Sequence, residues 1–327
     1  MLVCISANPA IDRRLRLENI AVGEINRALS AQPFPGGKAA HVAMVAKVLG
    51  LDVMWVGFLG GAAGEQCESG LSAFGVPLTV VRTESETRAN LELVSADGKV
   101  TEILEPGGAV TEGEVERLLT TCRDLFAESE RGTQVALSGS LPPGAPSDFY
   151  AELIRLAHLY GCRTLLDSSG EALREGLNAA PDFVKPNRNE SSAFANRRID
   201  SPTAALESTH MFFEAGAKSV AISLGGDGMI WQRTRVSDPF IAEPSLLANC
   251  SPVGCGDAAL AGFAAAHERG LSDEETLRLA TACGSANCLA QAPGRVDAGD
   301  VSRLAGEIRV RRMVSCESSR SATGEAQ

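Results

Sequence analysis

Short apolar runs alternate along the chain with longer segments in which apolar residues recur every three or four positions. Residues 2–6 form one such run and predict a buried strand, whereas the spacing over 39–49 predicts a helix. The same two patterns predict further strands at 53–58, 134–137, 163–166, 182–184 and 219–223, and helices at 148–160, 203–215, 257–268 and 274–289. This alternation predicts an α/β fold with a mostly parallel central sheet and helices on both faces.

Two segments, 11–34 and about 78–107, break this rhythm. Their residues alternate between apolar and polar, and an Asp-Gly turn signal lies within the second. We expect antiparallel strands here that build a small β-sheet lid beside the main sheet. The prediction is one domain over residues 1–313 that carries this lid, followed by a polar, serine-rich and disordered tail over 314–327.

The composition narrows the classes of function. The chain has 327 residues, of which 44% are hydrophobic, and this is enough apolar material for one sizeable core. A formal net charge of −11 argues against a nucleic-acid partner, because affinity for the phosphate backbone depends on Lys and Arg. A small anionic substrate stays possible, since it needs only a few local cations.

The cysteines and the N-terminus bear on the cellular compartment. Nine cysteines are scattered without any C-x-x-C spacing, which predicts reduced thiols and neither a disulfide framework nor a zinc site. Asp12 and neighbouring arginines stand where a signal peptide needs its apolar run, and the apolar run at 258–266 is too short to span a bilayer. We therefore expect a cytoplasmic protein without a membrane partner.

The segment with the clearest chemical content is Ser-Pro-Val-Gly-Cys-Gly-Asp at 251–257, directly before an apolar helix. Glycines at a helix start let a ligand approach the backbone N–H groups, which together with the helix dipole form an anion hole. A carboxylate repels an anion, so Asp257 fits better as the acceptor of a proton from an attacking hydroxyl while the amides hold a phosphoryl group. The alternative is that Asp257 only caps the helix.

A second glycine pair, in the sequence Gly36-Gly37-Lys38, opens the helix predicted over 39–49. It is not a Walker A loop, because Ala39 stands where a Ser or Thr would hold magnesium. The glycines allow close approach to a polyhydroxylated ligand, and Lys38 could meet its phosphate. The alternative is an ordinary helix-start turn with a surface lysine.

Three more polar loops follow predicted strands, at 138–142, 185–190 and 223–228. Each loop alone has an ordinary composition. Since the carboxyl ends of parallel strands face the ligand crevice of an α/β sheet, their coincidence favours a ligand-binding function at one edge.

In this order the segments resemble the PfkB (ribokinase-like) family of carbohydrate kinases, and most of all its 1-phosphofructokinase and tagatose-6-phosphate kinase branch. The resemblance spans residues 2 to about 310. It is carried by Asn-Pro-Ala-Ile-Asp at 8–12, Gly-Gly-Lys at 36–38, Thr-Arg-Ala-Asn at 87–90, Thr-Glu at 101–102, Glu-Pro-Gly at 105–107, Ser-Gly-Ser-Leu-Pro-Pro at 138–143, Lys-Pro-Asn at 185–187, Glu190, Ser-Leu-Gly at 223–225 and Gly-Cys-Gly-Asp at 254–257.

The resemblance implies a ribokinase-like fold with a β-lid that closes over the sugar, with ATP and Mg²⁺ as cofactors. It implies transfer of the γ-phosphoryl group to a hydroxyl of a sugar phosphate of the fructose 1-phosphate or tagatose 6-phosphate type. Asp257 would be the base, and the anion-hole amides would come from Gly254, Cys255 and Gly256.

The remaining roles are also implied by the resemblance. The sugar hydroxyls would meet Asp12, Gly36, Gly37 and His41, and the substrate's own phosphate would meet Lys38, Arg88 and Ser138. The nucleotide would meet Lys185, Asn187, Glu190, Ser223, Gly225, Gly228 and Asn287, the last on its adenine side. Within this set, Asn187 and Glu190 would organise magnesium indirectly.

Two positions depart from the family pattern. His41 stands where the family usually has Asn, and a bulkier, titratable side chain predicts a different choice of acceptor, unless it merely packs at the helix start. Leu104 stands where the branch often has Asn, which removes a polar contact from the lid. We expect Arg13 and Arg14 to be solvated.

Other functions remain as alternatives. The first is a kinase of an unphosphorylated sugar or nucleoside, disfavoured because a neutral sugar has no use for the two cations Lys38 and Arg88. A dinucleotide-binding oxidoreductase is disfavoured because no G-x-G-x-x-G follows the first strand. A catalytically idle sugar-binding relative is disfavoured by Asp257 with its glycines. An exposed lid edge also predicts a homodimer through the lid.

Overall fold

The computed structural model describes residues 1–244 and 251–313. The strands in these ranges are β1 (Leu2–Ser6), β2 (Ala10–Leu17), β3 (Ser30–Gly36), β4 (Val53–Leu59), β5 (Leu78–Arg82), β6 (Arg88–Ser95), β7 (Val100–Ile103), β8 (Gln134–Ser138), β9 (Arg163–Asp167), β10 (Phe183–Val184), β11 (Val220–Ser223), β12 (Met229–Gln232), β13 (Phe240–Glu243) and β14 (Arg309–Arg312). The helices are α1 (Lys38–Val48), α2 (Gly61–Ala73), α3 (Glu112–Glu128), α4 (Phe149–Leu159), α5 (Gly170–Asn178), α6 (Arg188–Ala195), α7 (Pro202–Glu214), α8 (Cys255–Glu268), α9 (Asp273–Leu289) and α10 (Ala298–Glu307). The predicted tail at 314–327 lies outside the described residues.

Most of the described strands form one sheet, in the order β14-β13-β12-β11-β10-β9-β8-β1-β4-β5. The pairs from β11 through β5 are parallel, and β12, β13 and β14 add an antiparallel edge. The prediction of a mostly parallel sheet is therefore confirmed.

Helices cover both faces of this sheet, so two hydrophobic cores lie on either side of it. Successive side chains of a strand point to opposite faces. Leu2 and Cys4 of β1 accordingly pack into one core with α1 and α8, whereas Val3 and Ile5 pack into the other with α3 and α4. The continuous burial of β1 is what its uninterrupted apolar run indicated.

The small sheet has the order β3-β2-β6-β7. Two parts of the sequence-based prediction for this sheet, which was antiparallel strands from 11–34 and 78–107, were wrong. β2 and β6 pair in parallel, and Leu78–Arg82 is not in the small sheet, because β5 pairs in parallel with β4 at the edge of the large one. An edge strand with one covered face has the same alternating pattern as a strand of a lid, so the sequence pattern alone does not separate the two.

The topology places the carboxyl ends of parallel strands together at one edge. β8, β9, β10 and β11 end there at Ser138, Asp167, Val184 and Ser223. β1 leads directly into β2 of the small sheet and not into a helix, so the chain lacks the first βα turn of a dinucleotide-binding domain. None of the helices within 1–244 and 251–313 is long and apolar enough to cross a membrane.

Candidate active site

The glycine-flanked segment at 254–257 forms the N-terminus of α8, and its N-cap residue contributes no side-chain hydrogen bond. Gly254 takes the N-cap position with φ of 77°, in the left-handed region, and a Cβ there would lie 2.8 Å from Pro293 Cβ. Asp257 is the third residue of α8 and not its N-cap residue, and its Oδ2 lies 2.8 Å from His41 Nδ1. The alternative that Asp257 only caps the helix is therefore wrong.

The first N–H groups of α8 include two that point away from backbone partners. The Cys255 N–H donates to Pro252 O at 3.3 Å, but no described backbone oxygen accepts from the N–H of Gly256 or of Asp257. These two donors stand at the positive end of the helix dipole. The segment therefore offers an anion site directly beside a carboxylate.

A buried lysine adds a positive charge to this anion site. A Cβ built on Gly256 would lie 3.0 Å from Lys185 Nζ, so the ammonium group sits against the glycine backbone. Lys185 is 2% exposed and lies 2.9 Å from Asp167 Oδ2. The bare surface of Gly256 is thus what lets the lysine and the helix N-terminus face the same space.

Lys38 reaches the same cluster from α1. Its Nζ donates to Asp167 Oδ1 at 2.7 Å and to Glu190 Oε1 at 3.3 Å. Burial opposes ionisation of Asp167, but the charges of Lys185 and Lys38 outweigh it and lower the pKa of the Asp167 carboxyl. Asp167, the last residue of β9, was not predicted as a site residue, because its two lysine partners come from other elements.

His41 lies between two carboxylates. Its Nδ1 is 2.8 Å from Asp257 Oδ2, and its Nε2 is 3.2 Å from Asp12 Oδ2. Asp12 also accepts from Asn90 Nδ2 at 2.8 Å, and a Cβ on Gly36 would overlap the Asp12 carboxylate. The predicted sugar-binding residues Asp12, Gly36 and His41 are thus brought together with Asp257, and Asn90 joins them.

The small sheet carries a buried ion pair that the sequence did not reveal. Arg13 is exposed, as expected, but Arg14 is buried, and its Nη2 lies 2.6 Å from Glu92 Oε2. Arg14 Nη1 also donates to the Gln291 carbonyl. The expectation that Arg14 is solvated was wrong, because a partner contributed by a distant strand compensates for its burial.

The predicted substrate-phosphate residues flank the loop that follows β8. Arg88 donates to Asn8 O at 3.0 Å and to Glu105 O at 2.8 Å, and Asn8 Nδ2 donates to Ser140 Oγ at 3.1 Å. Neither Arg88 Nε nor the buried Ser138 Oγ has a hydrogen-bond partner within the described residues.

Lys38 borders the same loop, because its Cβ lies 4.0 Å from a Cβ built on Gly139. Lys38 and Arg88 thus approach the loop after β8 while making polar contacts with different partners.

Asn187 and Glu190 of the nucleotide-side set form a capping box at the start of α6. Asn187 Oδ1 accepts from the Glu190 N–H at 2.9 Å, and Glu190 Oε2 accepts from the Asn187 N–H at 2.8 Å. The second carboxylate oxygen of Glu190 remains for Lys38. The described residues hold no group of three or more His, Cys, Asp or Glu side chains suited to a metal ion.

The other nucleotide-side residues lie in two places. Ser223 pairs with Asn187 in an isolated bridge, and the turn at Gly225 and Gly228 follows, where a Cβ on Gly228 would overlap Ala242 O.

Asn287, on α9, holds the segment before α8. Its Nδ2 donates to Val253 O at 2.7 Å, and its Oδ1 accepts from the Gly294 N–H at 2.8 Å. Its buried amide group therefore fixes the approach to the anion site.

Comparisons with known proteins agree with this geometry. The model of the pfkB family of carbohydrate kinases matches residues 1–296. The chain is 31% identical over 319 residues to the tagatose-6-phosphate kinase of Staphylococcus epidermidis, an alignment that covers 95% of this chain and 99% of that protein. It is 36% identical over 279 residues to the 1-phosphofructokinase of Escherichia coli strain K12, covering 85% and 88% respectively.

A solved structure shows the same fold. The tetrameric inhibited form of phosphofructokinase-2 from Escherichia coli superposes with a TM-score of 0.85 at 29% identity, covering 94% of this chain and 98% of that one. The family expected from the sequence motifs is thereby confirmed. The chain belongs to the PfkB family of carbohydrate kinases.

Proposed function

We propose that this protein transfers the γ-phosphoryl group of ATP to a hydroxyl of a sugar phosphate of the fructose 1-phosphate or tagatose 6-phosphate type. The observation that carries the proposal is the Asp257 carboxylate in the first turn of α8, beside the N–H groups of residues 256 and 257 and the Lys185 ammonium. The names of the two relatives support the choice of substrate class.

In this proposal Asp257 accepts the proton of the acceptor hydroxyl as that oxygen attacks phosphorus. Negative charge then spreads over the phosphoryl oxygens, so catalysis depends on positioning and on neutralising charge. The N–H groups at the start of α8 and the Lys185 ammonium meet that charge. They are held in place before the reaction, because Lys185 is buried against Asp167 and the segment before α8 is tied to Asn287.

On the acceptor side, Asp12 binds sugar hydroxyls, and Gly36 and Gly37 let the sugar approach the backbone. Arg88 and Ser138 bind the phosphate that the substrate already carries, with Lys38 nearby. The buried Ser138 Oγ and the Arg88 Nε, which have no partner within the described residues, gain acceptors from phosphate oxygens. This is the structural argument for a phosphorylated substrate.

On the nucleotide side, Ser223, Gly225 and Gly228 border ATP, and Asn287 lies toward the adenine. Magnesium arrives with the nucleotide phosphates, and its ligands are hard oxygens. Asn187 and Glu190 fit an indirect role, since each is already used in the capping box and Glu190 also pairs with Lys38. The small sheet acts as a lid that excludes water, which would otherwise compete as acceptor.

The proposal is tested by initial rates of ADP release with Mg-ATP against fructose 1-phosphate, tagatose 6-phosphate, free hexoses, ribose and nucleosides. We expect kcat/KM to be highest for a ketohexose monophosphate. Highest kcat/KM for a free sugar or a nucleoside would replace the proposal by the unphosphorylated-substrate alternative. ADP release without phosphorylated product would contradict both.

Replacing Arg88 by Ala is expected to raise the KM for the sugar phosphate about tenfold or more while leaving the KM for ATP within about twofold. The reason is that a charge-assisted contact to phosphate contributes about 1.5–3 kcal/mol. Steady-state kinetics with each substrate varied in turn measure the two constants. Arg16→Ala is the matched control, because it removes an exposed arginine from the neighbouring strand β2. Equal changes in both KM values would contradict the assignment.

We further propose a homodimer through the small sheet. Its outer connections and edge carry exposed apolar side chains, among them Ile25, which is 80% exposed, and Leu104, which is 60% exposed. Among the described strands β7 lies at one edge of the small sheet, and its outer edge adds backbone donors and acceptors. The tetrameric state of the similar phosphofructokinase-2 supports self-association at some surface.

We expect light scattering to give twice the mass of one chain for the wild type and the mass of one chain for the double variant Ile25→Asn/Leu104→Asn. The control is Val236→Asn, which replaces an exposed apolar residue in the turn between β12 and β13. A monomeric wild type, or a double variant that stays dimeric, would rule out this interface.

A further inference from the structure

One imidazole joins two functional carboxylates on different elements. His41 is the fourth residue of α1 and is 4% exposed. Its Nδ1 lies 2.8 Å from Asp257 Oδ2 on α8, and its Nε2 lies 3.2 Å from Asp12 Oδ2 on β2. The proposed base and the proposed sugar-binding carboxylate are therefore linked through a single rigid ring.

His41 is closely packed, and most of the charged groups around its ring are carboxylates. A Cβ on Gly294 would lie 3.0 Å from His41 Cα, so the loop after α9 packs directly against the histidine backbone. Asp12 and Asp257 contact the ring, and Glu102 on β7 interacts electrostatically with it. Lys38 on α1 interacts electrostatically with Asp257. Carboxylates thus dominate the charged groups around the ring.

These carboxylates favour the charged form of His41. Burial alone would lower the pKa of the ring, but hydrogen bonds to Asp12 and Asp257 outweigh burial and raise it to about 10. A charged ring donates from both nitrogens at once, which a neutral ring does not do. Near neutral pH His41 therefore donates a hydrogen bond from Nδ1 to Asp257 and forms an ion pair with Asp12 through Nε2.

Resting on the proposed function, we propose that His41 is a positioning residue that fixes the Asp257 carboxylate relative to Asp12 and so aligns the acceptor hydroxyl with its base. His41 contacts the Oδ2 atom of each carboxylate, so the Oδ1 atom of Asp257 accepts the hydroxyl proton. An asparagine at this position would carry one donor nitrogen at about the place of Nδ1 and none at the place of Nε2. The link to Asp12 therefore depends on histidine in this chain.

Two amide variants separate the two contacts. His41→Asn keeps a donor near the Nδ1 position and loses the contact with Asp12, so we expect the KM for the sugar phosphate to rise about tenfold and kcat to change less than about threefold. His41→Gln keeps a donor near the Nε2 position and loses the contact with Asp257, so we expect kcat to fall about tenfold with a smaller change in KM. Neither variant should change the KM for ATP.

The control is His158→Asn. His158 also pairs with a carboxylate, Asp182 Oδ2 at 3.0 Å, but on α4, and we expect its loss to leave both constants unchanged. Identical effects of the two His41 variants on kcat and KM, or no effect of either, would overturn the proposal.

A second readout does not depend on turnover. The chain has four histidines, so nitrogen NMR of histidine-labelled protein, assigned by the loss of signals in His41→Asn, isolates one ring. We expect both ring nitrogens of His41 to be protonated at pH 8, and the ring to lose one of these two protons near pH 10. A neutral ring at pH 8 would overturn the positioning role, whereas a charged ring in a protein inactive on every sugar phosphate would overturn only the proposed function.

The same titration has a consequence for stability. The pKa of His41 in the folded protein lies above its ordinary value of 6.5, so the charged ring contributes stability in full below about pH 6.5. This contribution is lost progressively as pH rises toward 10. The difference in free energy of unfolding between wild type and His41→Asn should shrink over that range, and denaturant titrations at several pH values measure it. A difference independent of pH would contradict the charged ring.

Discussion

Replacing Asp257 by Asn is expected to reduce kcat by roughly three orders of magnitude while the protein still binds ATP. A positioned general base contributes about 10²–10⁴ to the rate, and an amide does not accept the hydroxyl proton. The asparagine side chain keeps nearly the volume of the carboxylate and leaves the N–H groups at the start of α8 in place. The loss should therefore fall on turnover, with a small effect on nucleotide affinity.

Single-turnover kinetics and a calorimetric ATP titration measure the two quantities separately. The matched control is Asp300→Asn, because Asp300 is also the third residue of its helix, α10, and lies 2.7 Å from Arg303 at the surface. We expect normal kcat in the control. Near-normal turnover of Asp257→Asn would remove Asp257 from the role of base.

Replacing Lys185 by Met is expected to reduce kcat by about a hundredfold with little change in the KM for the sugar phosphate. Removing one preorganised group from an oxyanion site typically costs about 10²–10³ in kcat. Lys185 is the charge placed against Gly256 at the anion site, and the methionine keeps most of its volume without the charge. Stopped-flow or coupled assays of ADP release measure the effect.

The buried partner of Lys185 requires its own control. Without Lys185, Asp167 retains only Lys38 of its two ammonium partners, and breaking a buried ion pair destabilises a protein. The double variant Lys185→Met/Asp167→Asn removes the buried charge. We expect it to regain stability but not turnover, whereas full recovery of kcat would show that the lysine acts only on folding. Lys218→Met, which breaks an exposed pair with Asp182, should leave kcat unchanged.

The local features of this fold could be predicted because they depend on neighbouring residues. The buried strand at Leu2–Ser6 follows from a continuous apolar run, and a helix start after the glycines follows from the alanine-rich segment, although α8 begins at Cys255, two residues before the predicted start. The same holds for Asp257, whose place in the first turn depends only on its spacing from those glycines.

The contacts that could not be predicted join distant parts of the chain. Three such contacts are the parallel pairing of β2 with β6, the Arg14–Glu92 pair and the contact of His41 with both carboxylates. In each of them, at least one pair of contacting residues is separated by about 80 or more positions in the sequence. A pattern of alternation sets which face a side chain takes but not which strand it meets. Asp167 escaped prediction for the same reason, because its importance depends on two lysines from other elements.

The most direct test of the central claim is a crystal structure of the protein with ADP, aluminium fluoride and the preferred sugar phosphate, since aluminium fluoride takes the place of the transferring phosphoryl group. We predict that its fluoride ligands accept from the N–H groups of Gly256 and Asp257 and contact Lys185, with the acceptor hydroxyl within hydrogen-bonding distance of the Asp257 carboxylate. Aluminium fluoride bound away from the start of α8, or an acceptor hydroxyl directed to a different base, would contradict the account.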